Sequence, residues 1–221
     1  MFVEVVVSRK PFSYGTSYEA MLRRVDGLMH GHVKQLIWLL EHKSIYTCGV
    51  STTQLETEQL KALNLNFIHT ERGGKVTYHG PGQRIIYFVI DLKNISTPPD
   101  IKLFVKRLSE CVISALEGLG IESYYNKNEI GIWTKNPSPY KIASIGLKVK
   151  KTVVYHGIAV NILNDLTPFK LINPCGLNPD YITSVKNLGG NADIALFDDL
   201  FLYFFKKNFH HIDLQKQNQL S

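Results

Sequence analysis

Apolar residues recur along this chain at two different spacings, and each spacing predicts its own kind of element. Tyr18, Met21, Leu22, Val25, Leu28 and Met29 fall at steps of three and four, which predicts a helix over 16–30. Ile101, Phe104, Val105, Leu108, Val112, Ala115, Leu116 and Leu119 carry a second helical stripe, and Asp100, just after Pro98-Pro99, is placed to cap its start. A helix over 192–208 is apolar nearly all round and is expected to pack against the body, and a short one is expected over 57–63. Strands are predicted at the N-terminal Phe2-Val3-Glu4-Val5-Val6-Val7 and at 35–40, 65–69, 75–79 and 85–90. Further strands are expected at 122–125, 130–134, 141–149 and 152–162. The last two are separated by little more than Lys150-Lys151 and form a hairpin. In its first arm Ile142, Ser144, Gly146 and Lys148 alternate with Ala143, Ile145, Leu147 and Val149, so one face is apolar and the other small or polar. Gly146 and Gly157 are expected to leave space above the sheet. Residues 163–190, with Pro168, Pro174 and Pro179, read as irregular, and 215–221 as a polar end that frays. The order predicts one α+β domain over 1–210, a mixed or antiparallel sheet with flanking helices, followed by a polar tail over 211–221.

Composition narrows the function classes. At 221 residues, 44% hydrophobic and 20% charged, the chain is ordinary globular material with room for a large core. No stretch approaches the ~20 apolar residues of a spanning helix, and the start lacks the small-residue cleavage site of a secretory signal. Cys48, Cys111 and Cys175 are irregularly spaced, with no Cys-x-x-Cys. That argues for reduced thiols in a cytoplasmic compartment and against a disulfide frame or a metal site. A net charge of +6 favours acidic partners, but it is scattered and accompanied by no nucleic-acid-binding module, so neither nucleic acid nor a membrane is expected.

Three places carry candidate chemistry. Arg72-Gly73-Gly74-Lys75-Val76-Thr77-Tyr78-His79 runs into Gly80-Pro81-Gly82-Gln83 between two strand-like runs. The glycines serve two hairpin turns or a backbone-lined wall for a ligand, with Arg72, Thr77 and His79 beside it; spacing leaves both readings open. Cys175 stands between Pro174 and Gly176 in an irregular stretch, suited to a thiol at the mouth of a cleft, although a lone loop cysteine is more often incidental. A thiolate is a strong nucleophile when a neighbour takes its proton. His79, His156 and Lys141 are the candidate partners; a lysine opening a largely apolar strand can lose solvation and act as a base, or simply be a solvated strand end.

The Arg72 to Gln83 run closely resembles the signature of the octanoyl-[acyl carrier protein]:protein N-octanoyltransferases, the lipoyltransferase B family. Glu41-His42 with Tyr46-Thr47, Lys141-Ile142-Ala143-Ser144-Ile145-Gly146, and Tyr155-His156-Gly157-Ile158-Ala159-Val160-Asn161 resemble the same family, as do Pro174-Cys175-Gly176-Leu177 and Thr183-Ser184-Val185. Together they follow the family order over roughly 10–205. The resemblance implies a biotin/lipoate protein ligase-like catalytic domain. It implies that Cys175 forms an acyl-thioester, that Lys141 is its general acid/base, and that Arg72, Gly73, Gly74, Lys75, Val76, Thr77, Tyr78 and His79 line the acyl site with Ser144, Ile145, Gly146, Gly157, Ile158 and Ala159. The implied reaction moves octanoyl from octanoyl-acyl carrier protein to the lysine of lipoyl domains, those of 2-oxoacid dehydrogenase complexes and the glycine cleavage H protein, without cofactor or ATP. Backbone N–H groups near Cys175 and on the Gly146 strand are expected to form an oxyanion hole. Two other readings are an ATP-dependent lipoate or biotin ligase, whose nucleotide-binding glycine motif is not evident, and a non-catalytic acyl-carrier-protein binding module. Cys48 departs from the small or apolar residue usual there.

Overall fold

A computed structural model describes residues 2–217. Its large sheet has eight strands, β1 (Phe2–Val7), β2 (Gln35–Leu40), β6 (Gln83–Asp91), β7 (Ser123–Asn126), β8 (Gly131–Thr134), β9 (Lys141–Lys150), β10 (Val153–Asn161) and β11 (Asp213–Gln217), in the order β11-β1-β2-β6-β10-β9-β8-β7. The β11, β1 and β2 pairings are parallel and the rest antiparallel. A three-stranded sheet, β4-β3-β5, is built from β3 (Ile45–Cys48), β4 (Phe67–His69) and β5 (Thr77–His79).

Side-chain alternation divides the large sheet between two cores. Ile86, Phe88 and Ile90 of β6 and Val154, Ile158 and Val160 of β10 face α3 (Ile101–Gly118) and α4 (Ile194–Asn208). Ile85, Tyr87, Val89, Val153, Tyr155 and Ala159 face α1 (Tyr14–Met29). A third core, with Tyr46, Val76, Tyr78 and Phe169, lies under the small sheet. Asp100 caps α3 as expected, accepting from the Lys102 and Leu103 N–H groups. None of the helices among the described residues is long and apolar enough to cross a membrane.

Three expectations need correction. The short helix α2 (Gln54–Ala62) starts before 57, because Thr53 and Glu56 close a capping box at its N-terminus. The C-terminal polar run is not frayed over 213–217: β11 pairs in parallel with β1, and only Leu214 packs toward the core. Such an edge strand is held by main-chain pairing and shows no apolar alternation to read. Residues 218–221 of that tail lie outside the described residues. Finally, the strand glycines border a slot, but a Cβ on either would meet neighbouring backbone rather than open space. A Cβ on Gly157 would lie 1.7 Å from the Ile86 carbonyl oxygen, and one on Gly146 3.1 Å from that of Gly73. Glycine at these positions admits neighbouring backbone.

Candidate functional site

Where β6, β10 and β9 present Ile85, Tyr87, Ala159, Gly146 and Ser144, the small sheet and the Arg72–Gly74 loop close over them. The result is a narrow slot of about 470 Å³, counted with its open mouth. Alternation on β5 sends Thr77 and His79 into the slot and Tyr78 into the third core beside Val76. Of the sequence-predicted positions, Arg72, Gly73, Gly74, Thr77, His79, Ser144, Ile145, Gly146, Gly157, Ile158, Ala159 and Cys175 line the slot. Val76 and Tyr78 do not; Val76 takes part through its carbonyl, and the Tyr78 hydroxyl donates to Ser44. Lys75 and Lys141 lie on a second, wider groove that also reaches Cys175. Tyr14, Ile85 and Tyr87 complete the slot and were not legible as site residues: their spacing reads as core.

Cys175 sits in a single 3₁₀ turn, Pro174–Gly176, with φ 57 and ψ 20, and Gly176 follows at φ 79. Two successive left-handed residues make the chain reverse sharply and hold the thiol outward, half-buried. Its Sγ lies 3.8 Å from Ser144 Oγ. The Cys175 N–H donates to the Val76 carbonyl at 2.9 Å, and the Gly176 and Leu177 N–H groups to Asn173 and Pro174. The expected oxyanion donors on this turn are therefore already engaged in holding it.

Lys141 is buried at 4% exposure. A register shift between Ile132 and Trp133 bulges β9, so that Ile142 and Ala143 both enter the first core and Lys141 does not. Its Nζ lies 5.8 Å from the Trp133 ring centroid, and among the described residues no carboxylate or other hydrogen-bond partner meets it. Gly131 makes the room: a Cβ there would lie 2.5 Å from Lys141 Cε.

The remaining motifs join in one buried chain of hydrogen bonds. Arg72 donates through Nε and Nη2 to Thr47 Oγ1, at 3.1 and 2.8 Å, and to the Thr47, Gly73 and Lys75 carbonyls. Thr47 Oγ1 meets His79 Nε2 at 3.2 Å, His79 Nδ1 meets Gln83 Oε1 at 2.7 Å, Gln83 Nε2 donates to Asn161 Oδ1, and Asn161 Nδ2 donates to the Thr183 carbonyl. The Thr183 N–H closes the path on the Lys141 carbonyl. Gln83 Oε1 only accepts, which puts a proton on His79 Nδ1, and Thr47 Oγ1, already accepting twice from Arg72, donates to Nε2, so the ring is neutral. Burial, joined by the neighbouring His42 ring and the Arg72 guanidinium, pushes the His79 pKa well below the usual histidine range, which also favours the neutral ring. His79 is thus a structural link in this network, and Glu41 pins the glycine turn by accepting from the Gly82 N–H.

His156 has no such partner. It is 1% exposed, φ is 63, and neither ring nitrogen has a hydrogen bond. Its even-numbered neighbours on β10 face α3 and α4, but the left-handed backbone turns this ring to the opposite side, between Tyr18 and Tyr155, where it lines the slot. Burial, with Arg72 nearby, pushes its pKa down to about 3, so the ring is neutral.

The family defined by the lipoyl protein ligase A/B catalytic domain matches residues 16–206. The octanoyltransferase of Ehrlichia canis (strain Jake) is 41% identical over 198 residues, 89% of this chain and 91% of that protein. The octanoyltransferase of Rickettsia bellii (strain OSU 85-389) is 39% identical over 209 residues, covering 94% and 99%. Among solved structures, a lipoate-protein ligase A bound with ATP superposes with a TM-score of 0.74 at 15% identity, over 100% of this chain and 90% of that one. The bipartite lipoate protein ligase of Thermoplasma acidophilum gives 0.68 at 13% identity, over 99% and 86%. At such identities the structures speak for the fold alone, and they bear out the ligase-like α+β architecture. On the sequence matches, this chain belongs to the lipoyl protein ligase A/B catalytic-domain family and, within it, to the octanoyltransferases.

Proposed function

We propose that this protein transfers an octanoyl group from octanoyl-acyl carrier protein to the lysine of lipoyl domains, those of 2-oxoacid dehydrogenase complexes and of the glycine cleavage H protein, through a thioester on Cys175. One observation carries the reading: Cys175 stands at the junction of a narrow, largely apolar slot and the groove that holds Lys141. In the first half-reaction Lys141 takes the Cys175 thiol proton, the sulfur attacks the donor thioester, and the carrier thiolate leaves with that proton. In the second, the acceptor amine attacks the Cys175 thioester. Its proton passes through Lys141 to the departing sulfur, and an amide is formed. Thioester exchange is near thermoneutral and amide formation from a thioester is downhill, so no nucleotide is needed. General acid/base help of this kind is typically worth ~10²–10⁴ in rate. Each methylene buried in the slot contributes ~0.8 kcal/mol, a basis for selecting chain length. Ser144 Oγ, 3.8 Å from the sulfur, is a side-chain donor available to the developing oxyanion. Three free thiols suit a reducing, cytoplasmic setting.

Intact mass after incubation with octanoyl-acyl carrier protein is expected to rise by one octanoyl group, and Cys175→Ser to stay unmodified. A wild-type protein that transfers octanoyl without ever carrying it overturns the covalent step. Lys141→Ala is expected to lose ~10²–10⁴ in turnover while keeping its unfolding midpoint; undiminished turnover removes Lys141 from the chemistry.

A further inference from the structure

Cys175, Gly73, Gly74, Ile145 and Gly146 are shared by two cavities, so the thiol has a way out on either side. The second is a groove of about 1940 Å³, counted with its open mouth as the slot was. Ile101 and Val105 of α3 form one wall, and Tyr125 and Ile130, on either side of the β7–β8 turn, form the other. Lys75, Lys102 and Lys127 stand around it on three separate elements, against one carboxylate, Glu129. None of the four forms an ion pair among the described residues.

A thioester has an acyl side and a thiol side. With the acyl chain in the slot, the substituent on the leaving sulfur must point away from it, and the groove is the other opening at Cys175. It is long, apolar along its walls and cationic at its edge. That is the wrong lining for a second hydrocarbon chain alone, and the right one for a flexible arm of methylenes and amides ending in a phosphodiester.

We propose that this groove binds the phosphopantetheine-type arm of the acyl donor, its walls holding the arm and Lys75, Lys102 and Lys127 meeting the phosphodiester and the acidic protein that carries it. The assignment rests on the octanoyl-transfer reading above. A carrier protein is favoured over a free nucleotide thioester because the three lysines belong to three separate elements, a loop, a helix start and a turn, and face a partner surface rather than form one phosphate cradle. Because Lys141 lies on the same groove, the arm must withdraw before an acceptor lysine can reach Cys175. The two protein substrates therefore use one entrance in turn.

Two octanoyl donors separate the arm from the acyl chain: octanoyl-acyl carrier protein, which has the arm, and 4-nitrophenyl octanoate, which has none. Val105→Trp, which fills the groove, is expected to lower the ratio of carrier-driven to ester-driven Cys175 acylation by about tenfold or more, the effect of one lost interaction of ordinary size. Lys102→Glu with Lys127→Glu, both surface changes, is expected to raise KM for the carrier by a similar factor and to weaken its salt dependence. Octanoyl-coenzyme A, which shares the arm but not the protein, is expected to respond to Val105→Trp as the carrier does and to the charge reversals much less. An unchanged ratio in Val105→Trp, or charge reversals that leave the carrier KM as it was, overturns the proposal. Failure of the underlying acyl-transfer reading looks different: the wild-type protein then takes no octanoyl group from either donor, and the groove assignment falls with it.

Discussion

Gly131 shows how much of the proposed chemistry depends on an absent side chain. Its missing Cβ position lies 2.5 Å from Lys141 Cε and 2.7 Å from the Ala143 carbonyl oxygen, so alanine must displace both, the soft lysine stem further than the backbone, and the φ of 156 adds strain of its own. Displacement of a catalytic group by about 1 Å can cost ~10² in rate. Gly131→Ala is therefore expected to lower kcat by roughly 10–10². In a Lys141→Ala background the same change is expected to cost little more, the non-additivity of two residues acting as one. Independent, additive losses would make Gly131 a merely structural glycine. His156 belongs to the same scale. An ordinary strand residue at that position would point into the α3/α4 core; the left-handed φ moves the imidazole across the sheet and into the slot, a departure that period-two reading has no means of registering.

At the scale of elements, a buried ion pair ties the large sheet to its covering helix. The buried Arg84 of β6 makes a bidentate pair with Asp198 of α4, Nε to Oδ1 at 2.7 Å and Nη2 to Oδ2 at 2.6 Å, and donates to the Ser8 carbonyl beyond the end of β1. Removing one partner leaves the other charge buried and unpaired, which costs about 3–5 kcal/mol. Asp198→Ala is expected to lose that much in urea unfolding, and Arg84→Met with Asp198→Leu to recover most of it. A loss below about 1 kcal/mol would show that the pair is not desolvated. Most elements here were legible in the sequence, because α1 and α3 each bury one apolar face, while β2 and β6, buried on both faces between two cores, are short continuous apolar runs. β11 was not, because its contribution is main-chain pairing at an edge. The start of α2 was set by a cap rather than by its stripe.

For the molecule as a whole, acid is the expected weakness. Burial holds His42 down to about 4 and His156 to about 3, and His79 lies well below its usual value. Unfolded, all three titrate near ~6.5. Between that value and the folded ones the unfolded chain binds protons that the folded chain refuses. Stability from these groups is therefore full above ~6.5 and is lost as pH falls, by up to about 1.4 kcal/mol per pH unit for each histidine. Burial also pushes the Asp198 carboxyl up to about 6, which acts in the opposite sense below that pH, but three histidines outweigh one carboxyl. The melting temperature is therefore expected to be level from about pH 8 to about pH 7 and to drop toward about pH 5. A level profile throughout would mean that the three rings are not buried neutral.

The chain by itself determined the elements, the single α+β layer plan, and the residue types that carry the chemistry: a cysteine between proline and glycine, a lysine opening a strand, and an Arg-Gly-Gly run before a threonine and a histidine. These are local properties, written in spacing and in side-chain chemistry. Only the tertiary structure decided which of them meet. It turned Tyr78 away from the slot and His156 into it, made His79 a link in a hydrogen-bonded chain, and opened a second cavity at Cys175 between α3 and the β7–β8 turn. Those outcomes follow from strand register, one bulge and two left-handed residues, whose effects are felt only when segments distant in the chain are packed against each other.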